Sequence, residues 1–283
     1  MDPQYGTLED FQRLLVVGEA WDEFSAIASY YTSGVPSYFN FPLAQHNGII
    51  VNTVRKLGTG SATSFAKSLL NMQEKYSAGN PDYIDAPFIS NHDTTRISAM
   101  CVNDEQQMKL AAGLLLTLSG SPFVYYGEEI GMNSSGSKDE NKRLPMQWSK
   151  TDTAGMTVGP DDADAVEQKF APVDEQQGNS LSILNYYKRA IRIRNENPEL
   201  ARGTITMVEA LTDKNICALE KNYQDSKIVV VSNINKEAAT VDLKAAGYDN
   251  LALRGYLTVD GSEITLTNGI LALPLYSIAI LKQ

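Results

Sequence analysis

Alternating strand and helix patterns, followed by a run of short strands, predict an α/β fold whose parallel sheet precedes a smaller antiparallel β domain. Three observations carry this expectation. Short apolar runs such as Leu14 to Val17, closed by Gly18, have the composition of strands buried on both faces. Helix-length segments with apolar residues on one side separate these runs, which implies a parallel sheet with right-handed crossovers. Beyond about residue 199 the helical period gives way to brief alternating segments with Asp260-Gly261 and Asn268-Gly269 between them. The expected division is 1–198 and 199–283.

The elements follow in order. Thr7 as N-cap, with Asp10 at the capping-box position, reads as a helix leading into the strand Leu14 to Val17. Ser37 to Phe41 is the second strand. A helix over about Ala62 to Tyr76 places Phe65, Leu69, Leu70 and Met72 together. Pro87 to Ser90 is the third strand and runs into Asn91-His92-Asp93. The helix from about Glu105 to Leu118 is apolar nearly all round in its second half, as a deeply packed helix must be. Pro122 to Tyr126 is the fourth strand. Residues 127 to 178 are rich in Gly, Ser, Asp and Asn and too long for a plain connection, so a functional loop is expected there. The amphipathic helix from about Ser180 to Asn195 stops before Pro198. Seven strands follow: Ile216 to Glu220, Lys227 to Ser232, Thr240 to Leu243, Tyr256 to Val259, Ile264 to Leu266, Ile270 to Leu273 and Ser277 to Leu281.

The 283 residues, 43% of them apolar, suffice for a sizeable core and for roughly two domains. Thirty-four acids against 24 bases leave a net charge of −10, which argues against nucleic acid or anionic lipid as a partner. Two distant cysteines, Cys101 and Cys217, make no disulfide framework, and His46 and His92 lack metal-motif spacing. No metal or other cofactor is expected in this chain. The longest apolar stretch, Gly269 to Leu281, is too short to span a bilayer and contains Pro274. The N-terminal residues are polar and acidic, unlike a signal peptide, and compartment is left open.

Chemistry concentrates just past the strand ends, the edge where α/β barrels collect their active sites. Glu19 follows LLVVG, Asp93 follows FISNH, and Glu128 and Glu129 follow FVYYG. Trp21, His92, Tyr125 and Tyr126 stand beside them. Carboxylates among aromatic rings describe a carbohydrate site, since ring faces stack on sugar C–H surfaces and acids handle hydroxyls and glycosidic oxygens. Glu19, beside Trp21 on an apolar strand, is the expected proton donor, because desolvation favours the protonated carboxyl. Asp93, with donors and Arg96 nearby in sequence, is expected to stay ionised. Gly58 to Ala62 does not complete a dinucleotide fingerprint, and Asp161, Asp162 and Asp164 lack EF-hand spacing.

At these residues the chain resembles the α-amylase family of glycoside hydrolases. VGEAW (17–21) and FISNHD (88–93) are similar to its signature segments at the fifth and seventh barrel strands. Phe39 to Leu43 resembles the sixth strand, SPFVYYGEEIGM (121–132) the eighth-strand region, and RLPMQW (143–148) a stretch found in many members. The resemblance implies half of a (β/α)₈ TIM barrel, strands five to eight, followed by a C-terminal antiparallel β-sandwich. It implies retaining chemistry on the α-glucosidic bonds of α-glucans or maltooligosaccharides. Glu19 would match the acid/base and Asp93 the second, stabilising acid. His92, Trp21 and Arg96 fall at substrate-binding positions.

One departure is specific. The family's nucleophile is an aspartate in a G-x-R-x-D type segment at the fourth strand, and no such segment precedes Glu19. Asp2 and Asp10 have neither strand nor flanking arginine. The expectation is a C-terminal half lacking the nucleophile, inactive by itself, with the missing N-terminal half or a second copy as partner. The inserted domain that usually binds calcium would belong to the complete enzyme. The alternative reading is a non-catalytic homologue or carbohydrate-binding module on the same fold. Bond specificity, and hydrolysis against transglycosylation, stay open.

Overall fold

The structure, a computed structural model, describes residues 16–134 and 136–283. The helix expected after Thr7, together with Asp2, Asp10, Leu14 and Leu15, lies outside the described residues.

A parallel sheet of three strands positions the site: β1 (Val17–Gly18), β2 (Ser37–Asn40) and β3 (Ile84–Pro87), in that spatial order. Val17 lies opposite Ser37, and Asn40 opposite Pro87. The third strand thus sits three residues before its expected position. Phe88 to Ser90 are buried, yet their backbone has left the ladder, and the Ile89 carbonyl accepts from Gln45 N–H instead. An apolar run alone does not say which of its residues pair.

The fourth expected strand, Pro122 to Tyr126, does not form a ladder. Only Ser121 N–H to Asp85 O (2.7 Å) and Phe123 N–H to Pro87 O (2.8 Å) tie it to β3. Neither Pro87 nor Pro122 has an N–H to return, so the pairing is one-sided.

The helices around this sheet are α1 (Phe24–Tyr30), α2 (Ile49–Arg55), α3 (Ala62–Gly79), α4 (Ile97–Met100), α5 (Glu105–Thr117), α6 (Val173–Gln177), α7 (Ile183–Glu196) and α8 (Pro198–Arg202). The three long ones start at side-chain caps. Ser61, Asp104 and Ser182 accept from the N–H of Ser64, Gln107 and Asn185, which satisfies donors the helix leaves free. Helix α5 is buried from Met108 to Thr117 because α2, α7 and the C-terminal strands surround it.

The remaining strands are antiparallel. β4 (Thr204–Met207), β5 (Ile216–Tyr223), β6 (Ser226–Asn233), β8 (Ala252–Leu257) and β11 (Ser277–Lys282) form one sheet in the order β4-β5-β6-β11-β8. β7 (Ala239–Asp242), β9 (Thr265–Thr267) and β10 (Ile270–Leu273) form a second, ordered β7-β10-β9. The period of two divides the larger sheet between two cores. Ile228, Val230, Ile278 and Ile280 join the helices, whereas Val229, Val231, Ala279 and Leu281 join the smaller sheet. The largest apolar cluster therefore runs across residue 198 without a break.

Asn268-Gly269 makes the expected two-residue hairpin, with φ of 54° and 87° and Thr267 opposite Ile270. Asp260-Gly261 does not close a hairpin. The strands on either side of it, β8 and β9, belong to different sheets, so this turn carries the chain from one sheet to the other.

Candidate active site

Parallel register brings the strand ends to one rim. Glu19 follows β1, the turn Phe41–Leu43 follows β2, and Phe88 to Asp93 follow β3. Rings join them across the edge. Trp21 stacks on Phe41 with centroids 4.9 Å apart and planes 16° from parallel, and Phe41 meets Phe88 edge-on at 5.1 Å. Phe39 continues the line to Phe123 at 4.8 Å.

Asn91 shapes the turn that carries Asp93. Its Oδ1 accepts from Asp93 N–H (2.9 Å) and Thr94 N–H (3.0 Å), and its own N–H donates to Thr94 Oγ1 (2.9 Å). Such side-chain capping is what asparagine supplies in turns. His92 Nε2 lies 3.4 Å from Asp93 Oδ2, with both side chains partly in solvent.

The cation on Asp93 is Arg143, not Arg96. Arg143 Nη2 donates to Asp93 Oδ1 at 2.9 Å and Nε donates to the His92 carbonyl at 3.2 Å, while Lys142 Nζ donates to the Asp93 carbonyl at 2.9 Å. Arg96 is only 1% exposed. It donates to the carbonyls of Tyr126 (2.6 Å) and Lys142 (3.1 Å), and its guanidinium lies 4.4 Å and 4.9 Å from the ring centroids of Tyr125 and Tyr126. Occupied in this way, Arg96 holds the loop that presents Lys142 and Arg143.

Glu19 is exposed, so the desolvation expected beside Trp21 is not supplied by these residues. Trp21 is 56% exposed and lines a cleft of about 670 Å³ together with Phe24, Phe41, Asn47, Asn71 and Lys75. Glu128, expected on the rim, is buried instead. Ser90 Oγ donates to its Oε2 at 2.6 Å and the Tyr187 hydroxyl to its Oε1 at 2.9 Å. Burial pushes its carboxyl up to about 7 against those two bonds, which favour the ionised form. Burial likewise raises the neighbouring Glu129.

Lys142, Arg143 and the Ser90–Glu128–Tyr187 link are not among the residues that the sequence pattern singles out as a site. RLPMQW contains Arg143, so the signal was present; its contact lies 50 residues away and has no local mark. Asp164, in the long loop, accepts from Lys138 (2.7 Å) and from Asn141 Nδ2 (2.9 Å). Among the described residues no group of three or more His, Cys, Asp or Glu is placed to hold a metal ion, and no helix is long and apolar enough to cross a membrane.

Comparison with known proteins is consistent across sequence and structure. The family model for the α-amylase catalytic domain matches residues 1–203. The α-amylase SusG of Bacteroides thetaiotaomicron is 33% identical over 248 residues, covering 85% of this chain and 34% of that protein. Alpha-amylase 3 of Dictyoglomus thermophilum is 33% identical over 233 residues, covering 78% of this chain and 43% of the relative. The solved structure of Eubacterium rectale Amy13B superposes with a TM-score of 0.92 at 35% identity, over 97% of this chain and 54% of that one. The chain thus spans between a third and about half of the length of these relatives.

Proposed function

The chain belongs to the α-amylase family of glycoside hydrolases, and from that premise we propose that it supplies the acid/base half of a retaining α-glucan-active site. In this reading β1, β2, β3 and the extended segment 121–125 are the fifth to eighth strands of a (β/α)₈ barrel, residues 1–198 are its C-terminal half, and 199–283 form the sandwich domain. Exposed Val16, Phe123, Val124 and Tyr126 mark apolar surface beside the two open ends of the sheet, which invite a covering polypeptide. That cover is the other half of the barrel, or failing it a second copy of this chain.

The supporting observation is the shared rim. One edge of a parallel sheet carries Glu19, an aromatic line from Trp21 through Phe41 to Phe88, and an Asp93 carboxylate held by Arg143. Trp21 and His92 are assigned to sugar contacts. Asp93 accepts sugar hydroxyls and stabilises the positive charge that develops at the anomeric carbon. Glu19 donates its proton to the glycosidic oxygen as the bond to the anomeric carbon breaks. A carboxylate outside this set takes the anomeric carbon as a glycosyl ester. Glu19, now ionised, removes a proton from the water that releases the sugar. Closure of the barrel over the rim supplies the desolvation that Glu19 lacks here. The substrates are α-glucans or maltooligosaccharides.

Glu19→Gln tests the role of the acid in the closed enzyme. Turnover of unactivated maltooligosaccharides should fall by about 10²–10⁴-fold, because an amide has no proton to give. A substrate whose leaving group needs no protonation should recover its first step. Near-unchanged hydrolysis of maltooligosaccharides by E19Q would remove Glu19 from the mechanism.

A further inference from the structure

We propose that Glu128 is a positioning residue whose buried carboxylate fixes Ser90, and through it the Asn91-His92-Asp93 turn, against helix α7. The functional meaning of this link rests on the glucan-site reading; the link itself does not. Glu128 is 1% exposed, and each of its oxygens has its own donor: Ser90 from the segment that follows β3 and Tyr187 from α7. Ser90 and Tyr187 are themselves buried, so neither hydroxyl has bulk water as an alternative partner. Ser90 directly precedes Asn91, whose side-chain oxygen holds the N–H groups of Asp93 and Thr94. A shift of Ser90 reaches the Asp93 turn within one residue.

The arrangement is sensitive to protonation. Ionised, the carboxylate only accepts, and both hydroxyls donate to it. Protonated, it must donate to one of them, and that hydroxyl turns from donor to acceptor. Since burial places this change near neutrality, the turn can be held in two slightly different ways within an ordinary working range. The groups acting on Glu128 are Glu129 from its own turn, Tyr187 from α7 and Arg96, whose guanidinium is engaged by the Tyr126 and Lys142 carbonyls. His92, Asp139, Lys142 and Arg143 act on the Asp93 side.

Backbone ¹H–¹⁵N resonances of Asn91, His92 and Asp93, followed across neutral pH in the full chain, test this. The wild type should show a transition near the Glu128 value that is absent in E128Q, a variant that keeps the volume and can bond both hydroxyls. His92 is present in both proteins, so the difference between their curves reports on Glu128. S90A, which cuts the link but leaves Glu128 bonded to Tyr187, should silence the transition at the turn and retain it at Tyr187. Identical titration curves for the turn in wild type, E128Q and S90A would overturn the proposal. Maltotriose affinity measured across the same range should carry the same step in the wild type and lose it in E128Q. An intact Ser90-dependent transition without maltotriose binding at any pH supports the positioning link and counts against the glucan reading.

Discussion

Arg143 Nη2 lies 2.9 Å from Asp93 Oδ1, across 50 residues of chain and from a loop that also bonds the His92 and Asp93 carbonyls. The carboxylate proposed to face the sugar is therefore held from both sides. Asn91 fixes the turn beneath it, and residues 142–143 clamp it from the loop.

Arg143→Ala should weaken maltooligosaccharide binding roughly three- to tenfold while changing stability by less than about 1 kcal/mol. The pair is partly solvated, and such ion pairs contribute little to folding. Isothermal titration calorimetry and thermal melting separate the two effects. A large drop in melting temperature with unchanged affinity would make the pair a structural clamp alone.

Trp21→Ala should lower oligosaccharide affinity by about tenfold, or about 1.4 kcal/mol, with a small effect on melting. One face of the ring stacks on Phe41, and more than half of the side chain remains open beside the cleft. Loss of the stack alone costs about 0.5–1.5 kcal/mol. Unchanged sugar affinity in W21A would remove the ring from the site.

Asp85 sets a pH dependence of stability. Its buried carboxyl accepts both Asn40 Nδ2 contacts at 3.0 Å, yet burial prevails and pushes it up to about 7 from 3.8. The native state then binds more protons than the unfolded chain between about pH 4 and 7, so stability falls as pH rises through that window and levels off above it. At about 1.4 kcal/mol per pH unit the loss is at most about 4 kcal/mol. Asp85→Asn should flatten this fall, seen as a gain in melting temperature over wild type that grows from pH 4.5 to 7.5. Glu128 has the same sign and is present in both proteins. Parallel melting curves for wild type and D85N over that range would contradict the assignment.

Local signals made much of the scaffold legible. The helices expected over about Ala62 to Tyr76, Glu105 to Leu118 and Ser180 to Asn195 form at Ala62–Gly79, Glu105–Thr117 and Ile183–Glu196, because a run of apolar residues at helical spacing marks each of them. Strands β5, β6, β10 and β11 lie within a few residues of their expected bounds, since alternation and turn residues mark them. The helices Phe24–Tyr30 and Ile49–Arg55 were not anticipated; they are short and have no side-chain cap. Strand Thr204–Met207 also escaped, and it depends on distant bonds such as Ile205 N–H to Gln73 Oε1 at 2.7 Å. At the site, the rim residues Glu19, Trp21, His92 and Asp93 stood out as strand-end neighbours. The displacement of Arg96 by Arg143, and the burial of Glu128, arise from long-range packing that no local pattern encodes.

As proposed above, this chain holds the acid/base half of a retaining site and the attacking carboxylate belongs to another polypeptide. The most direct measurement is proton NMR of the anomer released from maltooligosaccharides, for the chain alone and for the chain co-expressed with an N-terminal half-barrel bearing the G-x-R-x-D segment. The chain alone should show no hydrolysis, and the reconstituted pair should release the α-anomer first, since retention preserves the configuration of the bond cleaved. A monodisperse monomer of these 283 residues that releases the α-anomer unaided would contradict it.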